Sequence, residues 1–135
     1  MKTLLRVSSF LAIVVGLVMV LGGSWAISFT YKNITQEKIV TPADASIPNT
    51  AVRGPFTLKS QADIIRHHVL ETTGGLTYAQ MSRTDENRSL WVTATTLMTA
   101  LNLGIITYIF SGLILLFGLI SLWTGLVFFV LQKRF

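Results

Sequence analysis

Two long uncharged stretches constrain this chain more than any other feature. Val7 to Tyr31 carries no charged residue, and neither does Leu90 to Leu131, which also lacks proline. A membrane-spanning helix needs ~20 apolar residues at 1.5 Å rise each. Both stretches exceed that length. The sequence therefore predicts an all-α membrane protein: two transmembrane helices forming a helical hairpin, with a loop between them. The whole chain has 135 residues, 51% of them hydrophobic, too apolar a balance for a small soluble domain.

Charge supplies the orientation. The formal net charge is +5. Lys2 and Arg6 lie at one tip and Lys133 and Arg134 at the other, with no Asp or Glu beside them. All six acidic residues fall between Lys32 and Arg88. Basic tips flanking a nearly neutral middle follow the positive-inside pattern. The expected arrangement is a cytoplasmic N-terminus over 1–6, a first span over 7–30 and an extracytoplasmic loop over 31–89. A long helix over 90–131 contains the second span, and 132–135 returns to the cytoplasm of a plasma-membrane protein. No basic stripe interleaved with aromatics exists, so nucleic acid is not an expected partner. The rival reading of the first segment is a cleaved signal peptide, with Ser24-Trp25-Ala26 as the small-x-small site. The apolar run continuing through Ile27 and Phe29 favours a retained anchor.

Periodicity separates one long helix from two short spans in the last segment. Thr93, Thr96, Ala100, Gly104, Thr107, Ser111, Ile114, Gly118, Ser121 and Gly125 keep a 3–4 spacing, and all but Ile114 are small or hydroxyl-bearing. A turn would break that phase, so one unusually long helix is expected, roughly 60 Å in length. The first helix carries its own stripe of Ser9, Ala12, Gly16, Gly23 and Ala26. Lipid tails are as apolar as leucine, so helices associate in a membrane through close backbone approach, which small residues permit. Ala12, Gly16, Gly23, Gly104, Ser111, Gly118 and Gly125 are the expected helix-packing positions. The stripes are compatible with pairing to each other, to other membrane subunits, or to a second copy in a homo-oligomer.

The loop reads as two halves. Pro42, Pro48, Gly54 and Pro55 punctuate the first, where 37–40 suits a short strand and the rest an extended connector. In the second, Ser60 is the expected N-cap of a short helix over about 61–72, ended by Gly74-Gly75. Ala62, Ile65 and Val69 give it one apolar face. The loop is too small to supply a full core of its own.

Catalytic chemistry is poorly represented. There is no cysteine, no phosphate loop and no nucleophile elbow. No acid, base or histidine lies in either apolar stretch, which argues against an ion pump. Asn102 is the lone carboxamide of the last one. His67 and His68 are adjacent, so their side chains point about 100° apart on a helix and do not chelate one ion together. Asp63, His67 and Glu71 share a face at i, i+4 and i+8. They are the candidate ligand residues, read as a solvated polar face in the simpler account. No cofactor, resident metal or catalytic residue is expected.

The loop also carries a resemblance. Glu37-Lys38-Ile39, Pro42-Ala43-Asp44-Ala45, Gly54-Pro55-Phe56, Gln61-Ala62-Asp63-Ile64-Ile65, His68, Leu70-Glu71, Gly74-Gly75 and Thr77-Tyr78-Ala79 occur in that order. This series resembles a family of small two-span actinobacterial membrane proteins often labelled "aromatic ring-opening dioxygenase". The label implies a non-haem iron site with two histidines and a carboxylate around an open position. Adjacent histidines in a short loop helix do not provide that set. The resemblance implies an actinobacterial plasma membrane and an external loop. The stretch from Trp123 to Phe135 extends beyond what it leads one to expect. Together these readings point to an accessory or structural subunit of a larger membrane complex, respiratory or cell-envelope. The alternative is a stand-alone sensing module whose loop binds a metal or anionic ligand.

Overall fold

A computed structural model describes residues 2–134. Three helices make up the fold: α1 over Lys2–Gln36, α2 over Pro55–Thr72 and α3 over Arg88–Arg134. Helix α3 is continuous across its 47 residues. Both α1 and α3 are long and apolar enough to cross a membrane. The architecture is a two-span hairpin with a short helix in its loop. Two compact units arise: unit 1 is Met1–Phe29 with Thr107–Phe135, and unit 2 is Thr30–Ile106.

Unit 1 is a pair of antiparallel helices with their large side chains turned outward. Phe10, Val18, Leu21, Phe110, Phe117 and Trp123 are all more than half exposed in the protein alone. A helix apolar around its full circumference with an exposed surface of this kind is built for lipid. Each of its two helical segments covers about 40 Å, more than the ~30 Å hydrocarbon thickness.

Unit 2 contains every Asp and Glu of the chain. Helix α2 begins at Pro55, six residues before the expected 61. Pro55 takes the first helical position, where its missing N–H costs nothing, after an extended Gly54. Thr57 Oγ1 accepts hydrogen bonds from the Arg53 and Gly54 amides at 3.0 and 3.2 Å. Ser60 is thus not the cap. It lies inside α2, buried, and its hydroxyl accepts the Ile47 amide at 3.0 Å. The far end closes where sequence predicts it. The Gly75 amide donates to Leu70 O at 2.7 Å, and Gly74 and Gly75 take φ of +61 and +83, which only glycine adopts freely.

The first half of the loop is tighter than an extended connector. Thr41 organises it. Its amide donates to Thr50 O at 3.0 Å, its hydroxyl accepts the Thr50 amide at 2.9 Å, and its carbonyl accepts the Asn49 amide at 3.0 Å. The expected strand over 37–40 shrinks to a single antiparallel bridge between Val40 and Ala51, flanked by the Val52 amide donating to Ile39 O at 2.9 Å.

One hydrophobic cluster of unit 2 consists of Val69, Met81, Trp91 and Ala94, with Ile65, Leu70 and Met98 packed against it. Trp91 Nε1 donates to Leu76 O at 3.0 Å, satisfying the one polar group of a buried ring. Arg88 donates to Met81 O at 3.1 Å and lies 4.0 Å from the Tyr78 ring centroid. The loop gains a core by borrowing Trp91, Ala94 and Met98 from α3, which explains how so short a segment holds a fixed shape.

Candidate functional site

The small residues of unit 1 meet across one seam. A Cβ placed on Gly16 would lie 2.7 Å from Leu122 Cγ and 2.8 Å from Gly118 O. One on Gly118 would lie 2.9 Å from Val20 N, and one on Gly125 would lie 2.6 Å from Ile13 Cγ1 and 3.0 Å from Ile13 N. Gly23 faces Ser111 O and Leu115 N, both at 3.1 Å from such a Cβ. At Gly16 and Gly118 the facing backbone is nearer than real Cβ atoms come, and at Gly23 and Gly125 it is at the tight limit, so these glycines permit the close approach of the two helices. Two hydroxyls bridge the same seam. Ser9 Oγ donates to Gly125 O and Ser121 Oγ donates to Ala12 O, each at 2.8 Å.

The register is constant. A step of fourteen residues along α1, from Ser9 to Gly23, matches a step of fourteen back along α3, from Gly125 to Ser111. The α1 residues buried in this seam, Ser9, Gly16 and Gly23, recur every seventh position. That repeat keeps one face aligned with its partner over the length of the contact. Gly22 and Gly112 meet nothing within 4 Å, so glycine content alone does not mark the seam.

Gly104 belongs to unit 2 and does a different job. A Cβ there would lie 3.1 Å from Leu58 Cδ1 and 3.5 Å from Ile34 Cδ1. It makes room for a leucine of α2 that is 1% exposed. The stripe read from sequence also departs from the buried face in this part of α3. Thr93, Thr96 and Ala100 are exposed, and Trp91, Ala94 and Leu101 are buried in their place. The Thr93 and Thr96 hydroxyls donate to the carbonyls four residues back on their own helix. In a helix such bonds need no partner.

Along α2, the polar side chains pair locally. Lys59 bonds to Asp63, and His67 Nε2 lies 3.2 Å from Glu71 Oε1. His68 turns the other way and reaches Asp44 Oδ2 at 2.6 Å. This contact holds the Asp44 carboxyl below its ordinary value of 3.8, through the hydrogen bond from His68 and one within the Asp44 backbone. Asp63, His67 and Glu71 do not converge: among the described residues no three His, Cys, Asp or Glu side chains gather as a metal-ligand group. Sequence reading passed over the Asp44–His68 pair because the partners are 24 residues apart.

An apolar groove in unit 2 was equally hidden. Ile39, Ile65, Leu97, Ala100 and Leu101 line a cleft of about 520 Å³ together with Glu37 and Gln61. Leu97 is 51% exposed. Gln61 Oε1 is buried without a hydrogen-bond partner among the described residues. The chain matches no protein-family model, no curated protein and no solved structure. The chain is a small helical membrane-spanning protein with no metal-ligand cluster among the described residues.

Proposed function

We propose that this chain is a non-catalytic accessory or structural subunit of a larger plasma-membrane complex, respiratory or cell-envelope in kind. The apolar groove of unit 2 carries the reading. Within that unit Gly104 packs beside Ile34, two residues past the charged Lys32, so α3 on the N-terminal side of Gly104 runs at the level of the charged loop. Exposed Val92 and Leu97 at that level are costly in water. An exposed apolar patch rimmed by polar groups is the usual mark of a protein contact.

The small-residue seam gives no such support. Its glycines are occupied by the chain's own opposite helix. The basic tips favour cytoplasmic termini and an external 31–89 segment, and the resemblance read in the loop favours an actinobacterial membrane.

The decisive experiment is purification of the tagged full-length protein from its own membranes in mild detergent. A stoichiometric partner is expected, and Leu97→Arg should remove it while leaving expression and thermal unfolding unchanged. Recovery of a lone monomer or dimer from several detergents rejects the reading. Orientation is tested separately. The chain lacks cysteine, and Ala79→Cys at an exposed loop position should label from outside intact cells. Labelling only after lysis inverts the topology.

A further inference from the structure

The basic end of the hairpin contains a cleft that the subunit reading does not use. The tight seam stops at Ser9 and Gly125, whose hydrogen bond is buried. Beyond it large side chains replace the glycines. A cleft of about 670 Å³ opens there, lined by Lys2, Arg6 and Phe10 from α1 and by Phe129, Gln132 and Lys133 from α3. Lys133 Nζ lies 4.5 Å from the centroid of the Phe129 ring. All of these residues belong to unit 1, which holds no Asp or Glu.

We propose that this cleft binds the phosphodiester headgroup of an anionic phospholipid. Three cations from two helices converge on one concavity, and no carboxylate side chain within the unit competes for them. The contrast with Lys59, which bonds to Asp63 four residues on, shows how this chain neutralises a lysine where acids are present. A phosphodiester supplies the missing negative charge. Arg6 offers a planar fork of donors for two phosphate oxygens, and Lys2 and Lys133 act as point charges. Gln132 adds an amide donor. Phe10, 67% exposed, and Phe129, 43% exposed, form apolar walls suited to the glycerol and the first acyl methylenes. The cleft lies at the end of a span, where lysine and arginine stems bury their methylenes and hold their charges at headgroup depth. A basic pocket between helices thus becomes a lipid site and not merely an orientation signal.

The test uses the full-length protein reconstituted into vesicles of equal phosphatidylglycerol and phosphatidylcholine. It is then re-extracted in mild detergent, and retained lipids are counted by native mass spectrometry. Retained phosphatidylglycerol should exceed phosphatidylcholine by about a hundredfold, each of the three cations contributing about fivefold. The combined Lys2→Gln, Arg6→Gln, Lys133→Gln variant should lose that preference. A charge-matched Lys32→Gln, Lys38→Gln, Arg53→Gln protein should keep it; an equal loss there would mean diffuse attraction and overturns the site. Lys133→Gln alone leaves α1 and its insertion signal intact and should lower the preference about fivefold. Unchanged retention in that variant rejects the proposal whatever the triple variant does. Displacement of the lipid by tens of millimolar inorganic phosphate would show that the cleft takes free phosphate, and would overturn the lipid assignment.

Discussion

Units 1 and 2 bury their contacts by opposite means. In unit 1 the buried positions are glycine and serine, and backbone approaches backbone. In unit 2 they include Leu58, Val69, Met81, Trp91 and Leu101, and side chain meets side chain. One helix, α3, participates in both. It changes from glycines at 118 and 125 to Trp91, Ala94 and Leu101 within its own length. The difference is one of solvent. Among lipid tails, burying a leucine gains little over leaving it exposed, so close packing and hydrogen bonds must hold the helices. In water the same burial removes apolar surface from solvent and contributes about 25 cal/mol per Å².

That comparison can be broken most directly at Trp91. Trp91→Ala removes the centre of the unit 2 cluster and the bond to Leu76 O. It should destabilise unit 2 by about 3–5 kcal/mol, read as early loss of hydrogen-exchange protection over 55–106. Unit 1 should keep its protection, and equal loss in both units would contradict the contrast. The next largest effect is expected at the seam. Gly16→Leu places a side chain where only 2.7 Å is available, and overpacking of this kind costs about 1–3 kcal/mol. Gly112→Leu, facing open space, should be near neutral in the same detergent-unfolding assay. Similar losses from the two variants would remove the distinction between seam and lipid face.

Smaller effects sharpen the picture. Ser121→Ala deletes an interhelical bond worth about 0.6 kcal/mol in membranes, and Ser9→Ala should resemble it. The smallest expected change concerns Asp44. Its folded carboxyl titrates below the ordinary value because His68 donates to it. The stabilisation is therefore complete above the unfolded carboxylate range and disappears as pH falls through the lower folded value. Amide exchange in the 43–49 turn should accelerate only in that acid window. Asp44→Asn should abolish the pH dependence without changing the neutral-pH fold. A turn that loosens instead near neutral pH would assign the effect to another group.

The sequence alone determined the two spans, the single long helix and the glycine stop of α2. These follow from local quantities: hydropathy, phase and the φ freedom of Gly74 and Gly75. Sequence also placed Ala62, Ile65 and Val69 on one face of α2; Ala62 and Val69 are buried and Ile65 is partly buried. The start of that helix is not legible locally, because Ser60 with Asp63 three residues on resembles a cap, whereas Pro55 and Thr57 provide the first turn. Only the tertiary structure decided what each stripe faces. Gly16, Gly118 and Gly125 face the chain's own opposite helix, Gly104 faces Leu58, and the Thr93 and Thr96 hydroxyls bond back to carbonyls of their own helix. Spacing reports which residues share a face of a helix. It carries no information on whether that face meets lipid, water or another helix, because that depends on contacts between residues far apart in the chain, such as Ser9 and Gly125.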